Sequence, residues 1–231
     1  MDLTPRLRAI AEQVPRGAKF ADIGTDHGYL PVWLILNGVT GSAVAADLRE
    51  GPLERARQTA AQYGVTEKLS FRLCDGLAGI TSEEADVIAI AGMGGDTIAA
   101  ILDAAPWTKA PGKTLLLQPM TAHPELRLWL QTHGYAIRAE RVAREGTRLY
   151  SIWTVTGGEM PPLSPGELWA GRQSADPLRG EYLDHIAGKV SKALTGHMMA
   201  FQPDGAAITE LQAALTELLR MKGEWERGDL T

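Results

Sequence analysis

Residues 20–31 read Phe20-Ala21-Asp22-Ile23-Gly24-Thr25-Asp26-His27-Gly28-Tyr29-Leu30-Pro31. An apolar run that passes through two glycines into a helical pattern predicts a buried β-strand, a tight turn and the start of an α-helix. The glycines let a ligand approach the backbone, and the N–H groups at a helix start can bind a carboxylate. We therefore predict ligand contacts from Asp22, which suits an ammonium group, and from Gly24, Thr25 and Gly28. The simpler alternative is a β-to-α turn without a ligand.

The same turn differs from the dinucleotide-binding fingerprint. The pattern G-x-G-x-x-G would require a glycine at position 22 or 26, where this chain has Asp22 and Asp26. A pyrophosphate bound there would meet negative charge. A nicotinamide-dependent oxidoreductase is therefore disfavoured.

Length and composition indicate one α/β domain with a smaller attachment. The chain has 231 residues, of which 45% are hydrophobic and 22% are charged, as in ordinary globular proteins. The only cysteine, Cys74, permits no internal disulfide, and we interpret it as a small buried hydrophobe. No signal segment or apolar run of membrane-spanning length is apparent. We expect a cytoplasmic location without membrane association.

Residues 3–156 alternate apolar runs with helical patterns, which predicts successive βα units around a mainly parallel sheet. The first predicted helix is Pro5–Val14. The candidate strands are Lys19–Ile23, Ser42–Asp47, Leu69–Leu73, Ala85–Ala91, Lys113–Gln118, Tyr135–Val142 and Leu149–Thr156. The last two are joined only by the short segment Ala143–Arg148, which predicts an antiparallel hairpin. Five parallel strands completed by such a hairpin are typical of the Rossmann-like sheet of class I methyltransferases.

A change of composition at Gly157–Pro165 predicts a boundary between a domain of residues 1–157 and a helical domain of residues 158–231. Helical spacing follows, which predicts an antiparallel helical hairpin with a break at Gln202–Gly205. The apolar positions with this spacing are Leu183, Ile186, Val190, Leu194, Ile208, Leu211, Leu215, Leu218 and Leu219. The hairpin either packs without contacting substrate or takes part in docking.

Two more strands are followed by acidic residues. Asp47 ends the second strand, where a carboxylate can accept both hydroxyls of a ribose. Asp75-Gly76 follows the third strand and suits an adenine amino group, with the ring against the backbone. Each alone could be a turn former or helix cap. Together with Asp22, they predict an adenosyl cofactor along one edge of the sheet.

The fourth strand ends in a glycine-rich turn, Ile90–Asp96. It lacks the Asn/Asp-Pro-Pro-aromatic tetrad of many amino-group methyltransferases. Its backbone carbonyls can still face an exocyclic amine. We predict that Gly92 and Met93 contact the cofactor and that Met93 also contacts the base, with a purely structural turn as the alternative.

These residues together resemble the bacterial tRNA (adenine-22-N1)-methyltransferases. The resemblance rests on residues 22–31, Glu50-Gly51-Pro52, Asp75-Gly76-Leu77, Ile90–Gly95 and Leu117-Gln118-Pro119. It implies S-adenosyl-L-methionine as cofactor, an adenine in the D-arm of tRNA as substrate and a C-terminal coiled-coil domain. Arg6-Leu7 resembles a basic element of the family's first helix, which implies a substrate role for Arg6. The family often has Glu where this chain has Asp47.

Methylation of adenine N1 needs no prior deprotonation, but it leaves a cationic base. A carboxylate close to N6 can stabilise that charge, and we predict Asp26 in this catalytic role, with a helix N-cap as the alternative. His27 is predicted to orient Asp26 or to bind phosphate, although histidines at turns are often structural. Tyr29 is predicted to stack on a flipped base.

The net charge of −5 argues against indiscriminate nucleic-acid binding but permits a local basic patch. The arginines of the predicted hairpin, Arg138, Arg141, Arg144 and Arg148, are candidate RNA contacts or solvated surface residues. Further aid could come from Arg172, Arg179, Lys189 and Lys192. No metal is expected, because the histidines lack ligand spacing.

Two other functions stay open on the sequence alone. One is a small-molecule methyltransferase that uses the helical domain as a lid or dimer element. The other is an RNA-binding module that holds S-adenosylmethionine without turnover. The sequence gives no oligomeric state.

Overall fold

The computed structural model describes residues 1–229, which form two compact units. The first unit comprises Met1–Ala122 and Trp129–Met160. The second comprises His123–Leu128 and the residues that follow Met160. The sequence places the boundary after residue 157, whereas the contacts of the folded chain divide it after Met160. Nothing in local composition marks residues 123–128 as part of the second unit.

The first unit contains a seven-stranded sheet with the order β3-β2-β1-β4-β5-β7-β6. The strands are β1 (Phe20–Ile23), β2 (Ala43–Asp47), β3 (Leu69–Leu73), β4 (Val87–Gly94), β5 (Thr114–Thr121), β6 (Tyr135–Glu145) and β7 (Arg148–Gly157). Strands β1 to β5 pair in parallel, and β7 runs antiparallel to both β5 and β6. The predicted class I methyltransferase sheet is confirmed.

The helices of the first unit are α1 (Pro5–Ala11), α2 (Tyr29–Leu36), α3 (Glu50–Gln62) and α4 (Gly95–Asp103). The next helix, α5 (His123–Thr132), begins in the second unit and ends in the first. Short 3-10 turns occur at Thr66–Lys68 and Pro106–Lys109. The first helix ends at Ala11, three residues before the predicted Val14, and Gln13 and Val14 form tighter turn bonds to Ile10 and Ala11. Val14 itself precedes Pro15, a position that disfavours helical backbone. Strand β1 is buried along its whole length, as expected of a strand covered on both faces.

Two strand predictions are corrected. Strand β4 continues past the predicted Ala91 to Gly94, because Met93 and Gly94 still pair with β5 after an irregularity in the register. The predicted connection Ala143–Arg148 is mostly paired strand, and only Gly146 and Thr147 form the turn of the hairpin.

The second unit contains α6 (Pro165–Ala170), α7 (Arg179–Met198) and α8 (Gly205–Arg227). Helices α7 and α8 are antiparallel, since Lys222 near the end of α8 pairs with Asp184 near the start of α7. The sequence did not predict α6, although Ser164 and Glu167 form a capping box at its start.

Burial in this unit corrects two residue predictions. Leu219 is 59% exposed, and Met221 instead contributes to the buried face of α8. Arg179, predicted as an aid to RNA binding, is 2% exposed and donates hydrogen bonds to the carbonyls of Ala170 and Gly171 at the end of α6. A buried guanidinium that caps a helix is not placed to contact RNA. Along residues 1–229, no helix is both long and apolar enough to cross a membrane.

Candidate active site

A cleft of about 180 Å³ opens at the carboxyl ends of the parallel strands, where open α/β sheets bind ligands. Its walls are Ile23, Gly24, Asp47, Leu48, Arg49, Cys74, Asp75, Gly76, Met93, Thr97 and Ile101. The structure thus brings together five residues that the sequence predicts for the cofactor: Gly24, Asp47, Asp75, Gly76 and Met93. Our interpretation of Cys74 needs correction, because its half-buried side chain lines this cleft.

Glycine is required at positions 24 and 28 for different structural reasons. Gly24 has a φ of 77°, and a Cβ at this position would overlap the Cε of Met93. Gly28 begins α2 in the left-handed region, and a Cβ there would lie 3.0 Å from the Cβ of Ala56 in α3. The missing side chain of Gly28 therefore serves helix packing. Cofactor contact by its backbone stays a prediction.

Asp47 is a buried carboxylate at the end of β2, with 8% of its surface exposed. Its Oδ1 atom accepts a hydrogen bond from the Arg49 backbone N–H at 2.8 Å, and the Arg49 Nε atom lies 3.7 Å away. These contacts hold the carboxylate at the cleft wall. Gly76 also lines the cleft, and a Cβ on it would lie 2.8 Å from the Ile101 side chain, so only glycine permits this approach.

Asp22 on β1 and Thr25 in the turn that follows are both buried polar residues. Burial raises the pKa of Asp22 from 3.8 to about 6, helped by the nearby Asp47 carboxylate and opposed by Thr25 and Arg6. The Thr25 hydroxyl is buried beside the Asp22 carboxyl, and it opposes the rise in the pKa more than Arg6 does. A buried carboxylate next to a buried hydroxyl suits the charged amino-acid end of S-adenosylmethionine.

Arg6 is fixed beside the glycine-rich turn by a residue that we did not predict for the site. Its Nη1 atom donates to Gln118 Oε1 at 2.9 Å, and its guanidinium lies 5.5 Å from the centre of the Tyr150 ring. Gln118 Oε1 also accepts a hydrogen bond from the backbone N–H of Gly92 at 3.1 Å. In the sequence, Gln118 is visible only as part of the Leu117-Gln118-Pro119 motif.

Asp26 lies on the exposed side of the turn, with a side chain 66% exposed. It forms an ion pair with Arg55 of α3, and His27 Nε2 lies 3.5 Å from its other oxygen. The rings of His27 and Tyr29 are stacked with their centres 5.1 Å apart. The alternative role of Asp26 as a helix N-cap is wrong, since Gly28 occupies that position without a side-chain cap. Arg55 was missed because its proximity depends on the packing of α3.

The hairpin arginines do not form one patch. Directly opposite residues of an antiparallel pair share a face, and successive residues alternate. Glu145 is opposite Arg148, so Arg148 shares a face with Arg141, whereas Arg144 lies on the other face. Arg141 lies 3.7 Å from Glu12, next to α1.

Arg138 occupies the irregular position in the pairing of β6 with β7. Its Nε atom donates to Thr156 Oγ1 at 2.9 Å. Within the described part of the chain, no three His, Cys, Asp or Glu side chains are grouped as metal ligands.

Comparison with known proteins finds methyltransferases that are similar to this chain. The model of the methyltransferase domain family matches residues 3–153. The tRNA (adenine(22)-N(1))-methyltransferase of Bacillus subtilis (strain 168) is 37% identical over 159 residues, which cover 69% of this chain and 67% of that protein. The crystal structure of the B. subtilis M1A22 tRNA methyltransferase TrmK superposes with a TM-score of 0.82 at 29% identity, covering 96% of this chain and 99% of that one.

A cofactor complex is among the similar structures. Sp1610 of Streptococcus pneumoniae in complex with S-adenosyl-L-methionine superposes with a TM-score of 0.80 at 33% identity, covering 94% of this chain and 100% of that one. The same fold therefore binds this cofactor in a relative that aligns with nearly the whole chain.

Proposed function

The chain belongs to the tRNA (adenine(22)-N(1))-methyltransferase family, and from this we propose that it transfers a methyl group from S-adenosylmethionine to N1 of adenine-22 in tRNA. The observation that carries the proposal is the cleft at the strand ends, where Gly24, Asp47 and Met93 meet. The sheet ends in the antiparallel β6–β7 hairpin, and the turn after β1 lacks the G-x-G-x-x-G pattern, so the fold suits an adenosyl cofactor rather than a dinucleotide.

Three parts of the cofactor fit three parts of the site. Asp22 and the buried Thr25 hydroxyl would hold the amino-acid end, and Asp47 would accept the ribose hydroxyls. Asp75 would accept the adenine amino group at the far end of the cleft. When bound, the cofactor supplies an electrophilic methyl group.

The protein's part in the chemistry is mainly orientation. Adenine N1 carries a lone pair, so the residues around Met93 need only hold it in line with the methyl group, and alignment of this kind supplies several kcal/mol of barrier reduction. Asp26 is proposed to stabilise the cationic product near N6. Arg55 forms an ion pair with Asp26, so the base must either share the Asp26 carboxylate with Arg55 or displace Arg55 from it. Tyr29 is proposed to stack on the base in place of His27.

The RNA is proposed to approach the face of the sheet that carries α1. Arg141 and Arg148 share that face, and Arg6 lies over Tyr150, which also belongs to it. Guanidinium groups suit phosphate contacts. Action on tRNA is consistent with the cytoplasmic location expected from the sequence.

The test is methyl transfer from radiolabelled S-adenosylmethionine to unmodified tRNA transcripts. We expect label in 1-methyladenosine after nuclease digestion, and no label in a matched transcript with guanine at position 22. Label in a pool of small metabolites but not in tRNA would instead establish the small-molecule alternative. Cofactor binding without transfer to any of these would establish the module without turnover.

A further inference from the structure

Gln118 is a fully buried amide on β5, an interior strand of the sheet. Its Oε1 atom accepts hydrogen bonds from Arg6 and from the Gly92 backbone, at 2.9 Å and 3.1 Å. Its Nε2 atom donates to the Pro119 carbonyl at 2.8 Å and contacts Met120 Sδ at 3.4 Å. Donors on one side and acceptors on the other leave the amide one favourable orientation.

Gly92 is where β4 departs from regular pairing. The register between β4 and β5 shifts on both sides of Met93, and Gly92 has a φ of 77°. An irregularity of this kind leaves a backbone N–H outside the ladder. Gln118 accepts that N–H, and so it holds the turn from which Met93 reaches over Gly24.

Arg6 is held next to the same turn. A Cβ on Gly92 would lie 3.7 Å from Arg6 Nη1, and Tyr150 contacts the guanidinium face. The charge of Arg6 also opposes the rise in the pKa of Asp22. One amide oxygen therefore connects the cation of α1 to the turn that faces the cofactor cleft.

We propose that Gln118 is a positioning residue that acts through Arg6. It holds the guanidinium ready for an RNA phosphate, and it keeps that guanidinium at a fixed position relative to the Gly92–Met93 turn. The inference rests on the proposed function, and Arg6 is the group that touches the RNA. A side chain fixed before binding loses less conformational freedom when the RNA binds. A guanidinium at a fixed position relative to the turn also aligns the base for methyl transfer.

The kinetic test compares Gln118→Met, which is nearly isosteric but cannot accept these bonds, with wild type and with Gln13→Met. Gln13 also bonds the sheet from the α1 side, through Thr154, but touches neither Arg6 nor Gly92. For Gln118→Met we expect kcat/KM for tRNA to fall about ten- to a hundredfold, as for loss of a charge-assisted hydrogen bond. Both KM and kcat should change, and affinity for S-adenosylhomocysteine should fall by a smaller factor than kcat/KM, because the Gly92–Met93 turn also loses its acceptor. Gln13→Met should retain wild-type kinetics.

A double-mutant cycle with Arg6→Met separates positioning from general damage to the fold. If Gln118 acts through Arg6, the double variant loses little more than the worse single variant. Losses that add fully on the free-energy scale would overturn the proposal.

A second measurement does not depend on activity. In the wild type, NMR of arginine labelled with ¹⁵N should show hindered rotation of the Arg6 guanidinium, and in Gln118→Met that rotation should become free. An unchanged Arg6 signal would refute the positioning role. If the wild type does not methylate tRNA, the proposed function fails, and the NMR comparison still decides whether Gln118 fixes Arg6.

Discussion

Met93 fills the space above Gly24: a Cβ on residue 24 would overlap the Cε atom of Met93. Gly24 follows β1 and Met93 lies near the end of β4, and these two strands are neighbours in the sheet. Met93 therefore lies over the part of the glycine turn where the amino-acid end of the cofactor is proposed to bind. Cofactor binding requires that this flexible side chain move or pack against the ligand.

Gly24→Ala should harm both stability and cofactor binding. A non-glycine residue in left-handed backbone costs about 1–2 kcal/mol, and the new methyl group also displaces Met93. Gly38→Ala is the matched control, because Gly38 has a φ of 62° with nothing within 4 Å. Chemical denaturation should show at least as large a loss for Gly24→Ala as for Gly38→Ala, whereas calorimetry with S-adenosylhomocysteine should show weaker binding only for Gly24→Ala. Equal cofactor affinity in the two variants would remove Gly24 from the site.

Asp47→Ala should weaken cofactor binding, because the ribose hydroxyls lose a charged acceptor. The expected cost is about 1.5–3 kcal/mol, roughly ten- to a hundredfold in Kd. Asp47→Asn retains an oxygen for the Arg49 N–H and should lose less. Calorimetry on variants shown to be folded decides the matter, and wild-type affinity for Asp47→Ala would contradict the ribose assignment.

Asp22 should make stability and cofactor affinity depend on pH in opposite directions. Burial raises its folded pKa from 3.8 to about 6, so the folded protein holds the extra proton between these values. The contribution to stability is therefore full below about pH 4 and is lost as the pH rises through 6. Binding of the cofactor ammonium needs the ionised carboxylate, so the affinity should rise with pH through about 6 and level once the carboxylate is fully ionised.

Asp22→Asn is the control for this pH dependence. Its cofactor affinity should be weaker and nearly flat across the same window in calorimetric titrations. A wild-type affinity that does not change between pH 5 and 7 would show that the Asp22 carboxylate does not receive the ammonium.

Asp26→Asn should separate binding from turnover. The amide keeps the size of the side chain but carries no charge to stabilise the methylated base, so methylation should fall strongly while cofactor affinity is retained. Arg55→Met removes the resting partner of Asp26 but leaves the carboxylate, and it should retain most turnover. Near-normal single-turnover rates in Asp26→Asn would falsify the charged role of Asp26.

The positions of the cofactor residues were predictable because parallel strands bring their carboxyl ends to one edge. Asp47 and Asp75 could therefore be assigned to one cleft from their place after successive strands. Gln118 and Arg55 could not be assigned, since their roles depend on α1 and α3 lying against particular turns. The predicted burial of Leu219 is wrong for a related reason. Apolar spacing defines a stripe on α8, but packing decides which edge of the stripe is covered.

The hairpin arginines give a sharper test of RNA binding than their spacing in the sequence does. Arg148 shares the face of β6 and β7 that carries Arg141, whereas Arg144 points to the opposite face. Each phosphate contact contributes about 0.7–0.9 to the slope of log affinity against log salt. Arg148→Gln should therefore flatten the slope for tRNA by about that amount, while Arg144→Gln, a matched change three residues from Arg141, should leave it unaltered.

Filter binding at several salt concentrations provides the slopes, with cofactor affinity as the control for an intact cleft. Equal flattening by both variants would mean that the RNA wraps the tip of the hairpin rather than lying along the α1 face, and flattening by Arg144→Gln alone would place the RNA on the other side of the sheet.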